Sequence, residues 1–124
     1  MSSLGVYIHI PYCLQHCTYC DFATYVHTEI RPPQDYVSLV KKEIHNKKNL
    51  FATRELKTLY FGGGTPSLID ANLLVGLIEE LRQVGFTTGP QTEITIEINP
   101  ATIDEKKLDV YFKAGINRFS VGAQ

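Results

Sequence analysis

Four short stretches read as β-strands: Gly5 to Ile10, Lys57 to Phe61, Glu93 to Ile98 and Arg118 to Gly122. In the first, Val6, Ile8 and Ile10 share one side and Tyr7 and His9 the other, the two-residue period of a strand. In the third, Ile94, Ile96 and Ile98 oppose Glu93, Thr95, Glu97 and Asn99. In the fourth, Phe119, Val121 and Ala123 oppose Ser120, Gly122 and Gln124. Between the strands, apolar residues recur at helical spacing. A first helix is predicted from about Pro32-Pro33, where proline suits a first turn, to about His45, with Tyr36, Val40 and Ile44 as its stripe. A second is predicted from about Asp70 to Val84, burying Leu74, Leu77, Ile78 and Leu81 and closed by Gly85. A third opens on Thr102-Ile103-Asp104-Glu105, which matches a capping box, and runs to Lys113, with Leu108, Tyr111 and Phe112 inward and Gly115 at its end.

Strands alternating with helices predict an α/β fold of parallel βα units. A parallel sheet needs both faces covered, and the fourth strand has nothing after it to cover it. The expectation is therefore that residues 1–124 form the first part of a larger, partial βα barrel, the alternative being a complete small α/β domain. The apolar strand faces should pack on helices, leaving the polar faces to converge on one interior. In βα barrels the active site lies at the C-terminal ends of the strands. The long loop after the first strand, the loop after the second, Glu97 and Gln124 all fall at that end.

Composition adds little, and the cysteines add much. The apolar and charged fractions, 44% and 20%, are those of an ordinary globular protein. A net charge of −1 provides no electrostatic reason to expect nucleic acid or an anionic membrane as partner. No apolar run approaches the roughly 20 residues of a membrane span. The opening MSSLGVYIHIPYC lacks the basic region and apolar core of a secretory signal. All three cysteines fall between positions 13 and 20, as Cys13-x3-Cys17-x2-Cys20. An odd, crowded set does not suit a disulfide framework and predicts a reducing, cytoplasmic setting with a metal centre. Three thiolates at short spacing suit an iron-sulfur cubane with one iron left open. A zinc site completed by His9, His16 or His27 is a second reading, and thiols buried on one helical face a third.

Gly62-Gly63-Gly64-Thr65-Pro66-Ser67 follows the second strand directly. Glycines let backbone N–H and C=O groups approach a ligand, although glycine plus proline also makes a plain tight turn. No Gly-Lys-Ser/Thr follows, so this is not a Walker phosphate loop. Glu97, aimed into a barrel interior, is expected to be hydrogen-bonded or charge-paired, since an unpaired buried charge is costly; a ligand hydroxyl or amine and a Lys or Arg partner are the two readings. Tyr7 and Tyr19 read, from the residues alone, as core aromatics, the commoner fate of tyrosine at such sites.

Tyr7-Ile8-His9-Ile10-Pro11-Tyr12-Cys13, with Cys17 and Tyr19-Cys20-Asp21-Phe22, resembles the opening of the radical S-adenosylmethionine (SAM) superfamily. More narrowly, it is similar to the oxygen-independent coproporphyrinogen III oxidase group and the related HemW-type heme chaperones. The later motifs follow in the expected order along essentially the whole chain. The resemblance implies that Cys13, Cys17 and Cys20 hold a 4Fe-4S cluster whose open iron binds the methionine part of SAM. It implies SAM contacts at Tyr7, Tyr19, Gly63, Gly64, Thr65, Glu97 and Gln124, and assigns no catalytic residue. Reduction of the cluster would cleave SAM to methionine and a deoxyadenosyl radical. Implied partners are heme or a porphyrinogen, an electron donor and heme-acceptor proteins. The oxidases carry a further Cys two residues after the last cluster ligand, where this chain has Phe22. That departure favours a heme chaperone over a decarboxylase in porphyrin biosynthesis.

Overall fold

A computed structural model describes residues 4–12, 32–47, 49 and 55–121. Four parallel strands, β1 (Leu4–Ile10), β2 (Leu56–Gly63), β3 (Glu93–Ile98) and β4 (Arg118–Val121), pair in the order β1-β2-β3-β4. The helices are α1 (Pro33–Lys47), α2 (Ala71–Gln83) and α3 (Glu105–Ala114). Short 3-10 turns at Pro66–Leu68 and Pro100–Thr102 follow β2 and β3. Strands added one after another in one direction, by crossovers of one hand, put every helix on the same face. That is the arrangement of a barrel wall, not of a doubly wound sheet, whose strand order reverses.

The register aligns the strand faces as the alternation requires. Tyr7 pairs with Tyr60, Tyr60 with Thr95 and Thr95 with Arg118, while Ile8, Phe61, Ile96 and Phe119 form the next row. The apolar face carries Ile8, Ile10, Leu59, Phe61, Ile94 and Ile96, all buried against Val37, Leu74, Leu77, Ile78, Leu81 and Tyr111 of the helices. Each fully buried aliphatic side chain contributes about 1.5–3 kcal/mol, so this face holds the sheet and helices together. The opposite face is left for polar side chains.

Helix ends explain where the elements stop. Asp70 caps α2 by accepting from the Asn72 amide at 2.9 Å. At its other end Gly85 N–H donates to Arg82 O and Phe86 N–H to Leu81 O. The same pair of bonds, from Gly115 to Phe112 and from Ile116 to Tyr111, closes α3. The start of α3 departs from the sequence expectation. Asp104, not Thr102, is the cap, accepting from the Lys107 amide at 2.8 Å. Thr102 is engaged elsewhere: its hydroxyl donates to Asn99 O at 2.8 Å, within the 3-10 turn that Pro100 begins.

One apolar expectation differs, and one about the fourth strand is met. Phe112 is 74% exposed, because the buried side of α3 runs through Tyr111 and Ala114. On β4, Phe119 is 39% and Val121 64% exposed, so the outermost strand is covered only in part, by the Tyr111 ring 6.5 Å from that of Phe119. His45, exposed near the end of α1, bonds Glu80 and ties α1 to α2. Among the described residues, no helix is long and apolar enough to cross a membrane.

Candidate functional site

The polar face of the sheet gathers its chemistry at the C-terminal ends of β1, β2 and β3. Glu97 is the centre. One carboxylate oxygen accepts from the Gly63 amide at 3.1 Å and the other from the Tyr60 hydroxyl at 2.7 Å. Among the described residues it has no Lys or Arg partner. Two neutral donors therefore satisfy this half-buried carboxylate, and its charge stays available to a ligand.

Gly63 has φ +112°, a conformation open to glycine at little cost. A Cβ there would stand 2.6 Å from the His9 ring, and one on Gly62 would stand 2.9 Å from the Tyr7 hydroxyl. The loop thus brings bare backbone under the side chains of β1, leaving Gly63 exposed above it. Beyond the strand, Gly64 N–H donates to Ile10 O at 2.9 Å and Thr65 N–H to Tyr12 O. These bonds extend the β1–β2 ladder past the strand ends. They tie Pro11 and Tyr12, both buried and immediately before Cys13 in sequence, to the glycine loop. Thr65 itself is buried. From α1, the Tyr36 hydroxyl donates to His9 O at 2.6 Å, and its ring meets Tyr12 edge-on at 5.9 Å.

Tyr7 is 56% exposed and stacks on Tyr60, with ring centroids 5.8 Å apart. Partial burial, and then the negative charge of Glu97, raise its pKa above the ordinary tyrosine value. Tyr60 is raised too, chiefly because its proton is held in the bond to Glu97. A cleft of about 380 Å³ on the same face is lined by Tyr60, Thr95, Arg118 and Ser120. Tyr60 therefore belongs both to the Glu97 clamp and to the interior wall.

Of the residues singled out from the sequence, the structure brings together Tyr7, Gly63, Gly64, Thr65 and Glu97. Cys13, Cys17, Cys20, Tyr19 and Gln124 lie outside the described residues. Tyr60 joins Tyr7 and Glu97 without a sequence motif to mark it. Its strand parity was the available signal, since it alternates with buried Leu59 and Phe61 and so must share the face of Gly62.

A family model described as the Radical SAM superfamily matches residues 7–124. The heme chaperone HemW of Buchnera aphidicola subsp. Schizaphis graminum is 38% identical over 124 residues, 100% of this chain and 33% of that protein. HemW of Escherichia coli K12 is 38% identical over 124 residues, 100% of this chain and 32% of that protein. Among solved structures, coproporphyrinogen III oxidase (HemN) of Escherichia coli, a radical SAM enzyme, matches with TM-score 0.77 and 31% identity over 98% of this chain and 28% of its own. The chain thus spans about a third of the length of the curated relatives it matches. With a family match reaching from Tyr7 on β1 to the last residue, and with parallel strands that bring a glycine loop and a carboxylate to one end of the wall, the chain belongs to the radical SAM superfamily.

Proposed function

We propose that this chain is the first part of the radical SAM core of a HemW-type heme chaperone, which binds a 4Fe-4S cluster and SAM and passes heme to acceptor proteins. Cys13, Cys17 and Cys20 would hold the cluster. Gly63, Gly64, Thr65, Glu97, Tyr7, Tyr19 and Gln124 would contact SAM. The fit rests on the cradle at Gly62 and Gly63, which any side chain would fill. It rests also on chain connectivity: Cys13 follows Tyr12, which the Thr65 amide holds beside that cradle. The reduced cluster would supply an electron to the sulfonium of SAM.

The protein's own residues do the positioning. The exposed backbone of Gly63, with half-buried Gly64 beside it, suits the polar end of a methionine, which carries both donors and acceptors. The Glu97 carboxylate, already fixed by Gly63 and Tyr60, retains lone pairs for a hydroxyl or ammonium donor. Tyr7, stacked on Tyr60, presents a ring to the same space.

The observation that carries the chaperone reading is the similarity to HemW proteins along the whole chain, together with Phe22 where the oxidases have a further Cys. The second reading, an oxygen-independent coproporphyrinogen III oxidase, is favoured by the structural match to HemN. The test uses the complete protein, reconstituted anaerobically and given SAM, a reductant and coproporphyrinogen III. The expected outcome is no decarboxylated product and stoichiometric heme binding. Product above a cluster-free control would overturn the chaperone reading. A protein with Cys13, Cys17 and Cys20 all changed to Ser should lose its bound iron; zinc in the native protein in place of iron and sulfide would remove the cluster assignment.

A further inference from the structure

Behind the glycine loop lies a compact polar clasp. Ser67, at the end of that loop, is fully buried, and its Oγ accepts from the Asn99 amide at 3.0 Å. Ser67 Oγ and Thr102 Oγ1 are bonded at 2.5 Å, and Thr102 Oγ1 lies 2.8 Å from Asn99 O. One proton arrangement satisfies all three contacts. Asn99 N–H donates to Ser67 Oγ, Ser67 donates to Thr102, and Thr102 donates to Asn99 O, closing a ring. Lys107, from the first turn of α3, then caps both sides: its Nζ donates to Ser67 O at 2.5 Å and to Thr102 O at 3.1 Å. Among the described residues, no carboxylate is paired with this ammonium. Its charge is committed to two backbone carbonyls, one from each loop.

Those two loops carry the halves of the site. Ser67 is four residues after Gly63, and Asn99 is two after Glu97. A bond between the Gly63 amide and the Glu97 carboxylate spans 34 residues of sequence, and its geometry depends on the spacing of the loops behind it. We propose that Lys107 is a positioning residue for the SAM site, locking the turn after β2 to the turn after β3 so that Gly63 and Glu97 face one ligand together. Charge-assisted bonds to carbonyls are stronger than neutral ones, so an ammonium suits a strut that must not slip. The ligand assignment rests on the function proposed above; the clasp itself does not.

The experiment compares the complete wild-type protein with Lys107→Met, Lys107→Arg and Lys106→Met. Lys106 is the exposed neighbour and controls for loss of charge alone. Three quantities are measured: bound iron, Kd for SAM, and amide hydrogen exchange over residues 63–67. Lys107→Met should weaken SAM binding about tenfold and speed exchange in that loop about tenfold, with bound iron unchanged. Lys107→Arg should recover most of both, and Lys106→Met should match wild type. SAM affinity and loop exchange unchanged in Lys107→Met would overturn the proposal. Wild-type protein that binds no SAM would instead remove the functional reading, and the exchange data would still decide whether Lys107 holds the loop. Should Lys107→Met fail to fold, Thr102→Val opens the ring from its other member; wild-type loop exchange there would equally count against the clasp.

Discussion

Glu97 shows how a single side chain is made tolerable and useful at once. A carboxylate on the interior face of a sheet would be costly if left unpaired, and two local donors meet that cost without neutralising it. Gly63 supplies one of them only because it lacks a side chain. Gly63→Ala would force an unfavourable positive φ and drive a Cβ to 2.6 Å from the His9 ring. The expected result in the complete protein is a loss of about 1–3 kcal/mol, read from the urea midpoint, with SAM binding reduced at least as much as stability. Wild-type affinity in that variant would show that the loop does not need bare backbone. At this scale the sequence was a partial guide. The glycines, Thr65, Glu97 and Tyr7 were legible as residue types on the polar strand faces. Tyr60 is hidden in the sequence, because Leu59-Tyr60-Phe61 reads as an apolar run until its parity is followed into Gly62.

The elements themselves were largely legible, since two-residue and 3.6-residue periods are local properties. All four strands and three helices lie within a few residues of their expected positions. The glycine terminators of α2 and α3 hold because the bonds they make need only neighbours in sequence. What failed was local competition. Thr102 was a reasonable cap, but the turn begun by Pro100 and the Ser67 hydroxyl engage it first, and Asp104 takes the role. Phe112 looked like core beside Tyr111, yet one helical step turns it to solvent. The cap of α2 admits a direct test, because Asp70 starts the helix that follows the glycine loop. Asp70→Ala should destabilise the complete protein by about 1 kcal/mol and Asp70→Asn by much less, both measured by urea unfolding. Equal effects of the two would point to charge, not to the capping bond, as the contribution of Asp70.

At the scale of the whole molecule, four of the described tyrosines respond to pH in the same direction. Tyr7, Tyr36, Tyr60 and Tyr111 are all raised: Tyr36 and Tyr111 mainly by burial, Tyr7 by burial and then Glu97, Tyr60 mainly by its bond to Glu97. Tyr111 is the extreme case, its hydroxyl buried with no partner among the described residues. A raised folded pKa means that the folded state keeps its proton longer than the unfolded chain. The corresponding stability is complete below the unfolded value of about 10 and is lost as pH rises through the folded values. The urea midpoint should therefore fall between about pH 9 and pH 11, and Tyr111→Phe should flatten the decline. A midpoint that rises over that interval would contradict these burial assignments.

The sequence by itself determined the order of the elements, the face of each strand that packs on helices, and the end of the wall where the glycine loop and Glu97 lie. Its motifs also carried the resemblance to the radical SAM superfamily, which the family match bears out. Only the tertiary structure decided that Glu97 bonds Gly63 and Tyr60 in place of a cation, and that Lys107 reaches the Ser67 carbonyl 40 residues before it. The reason is physical. Periodicity records which way a side chain points within its own element. The partner it meets is set by the register between parallel strands and by turns built from several loops at once, and neither is written in the local pattern of a single segment.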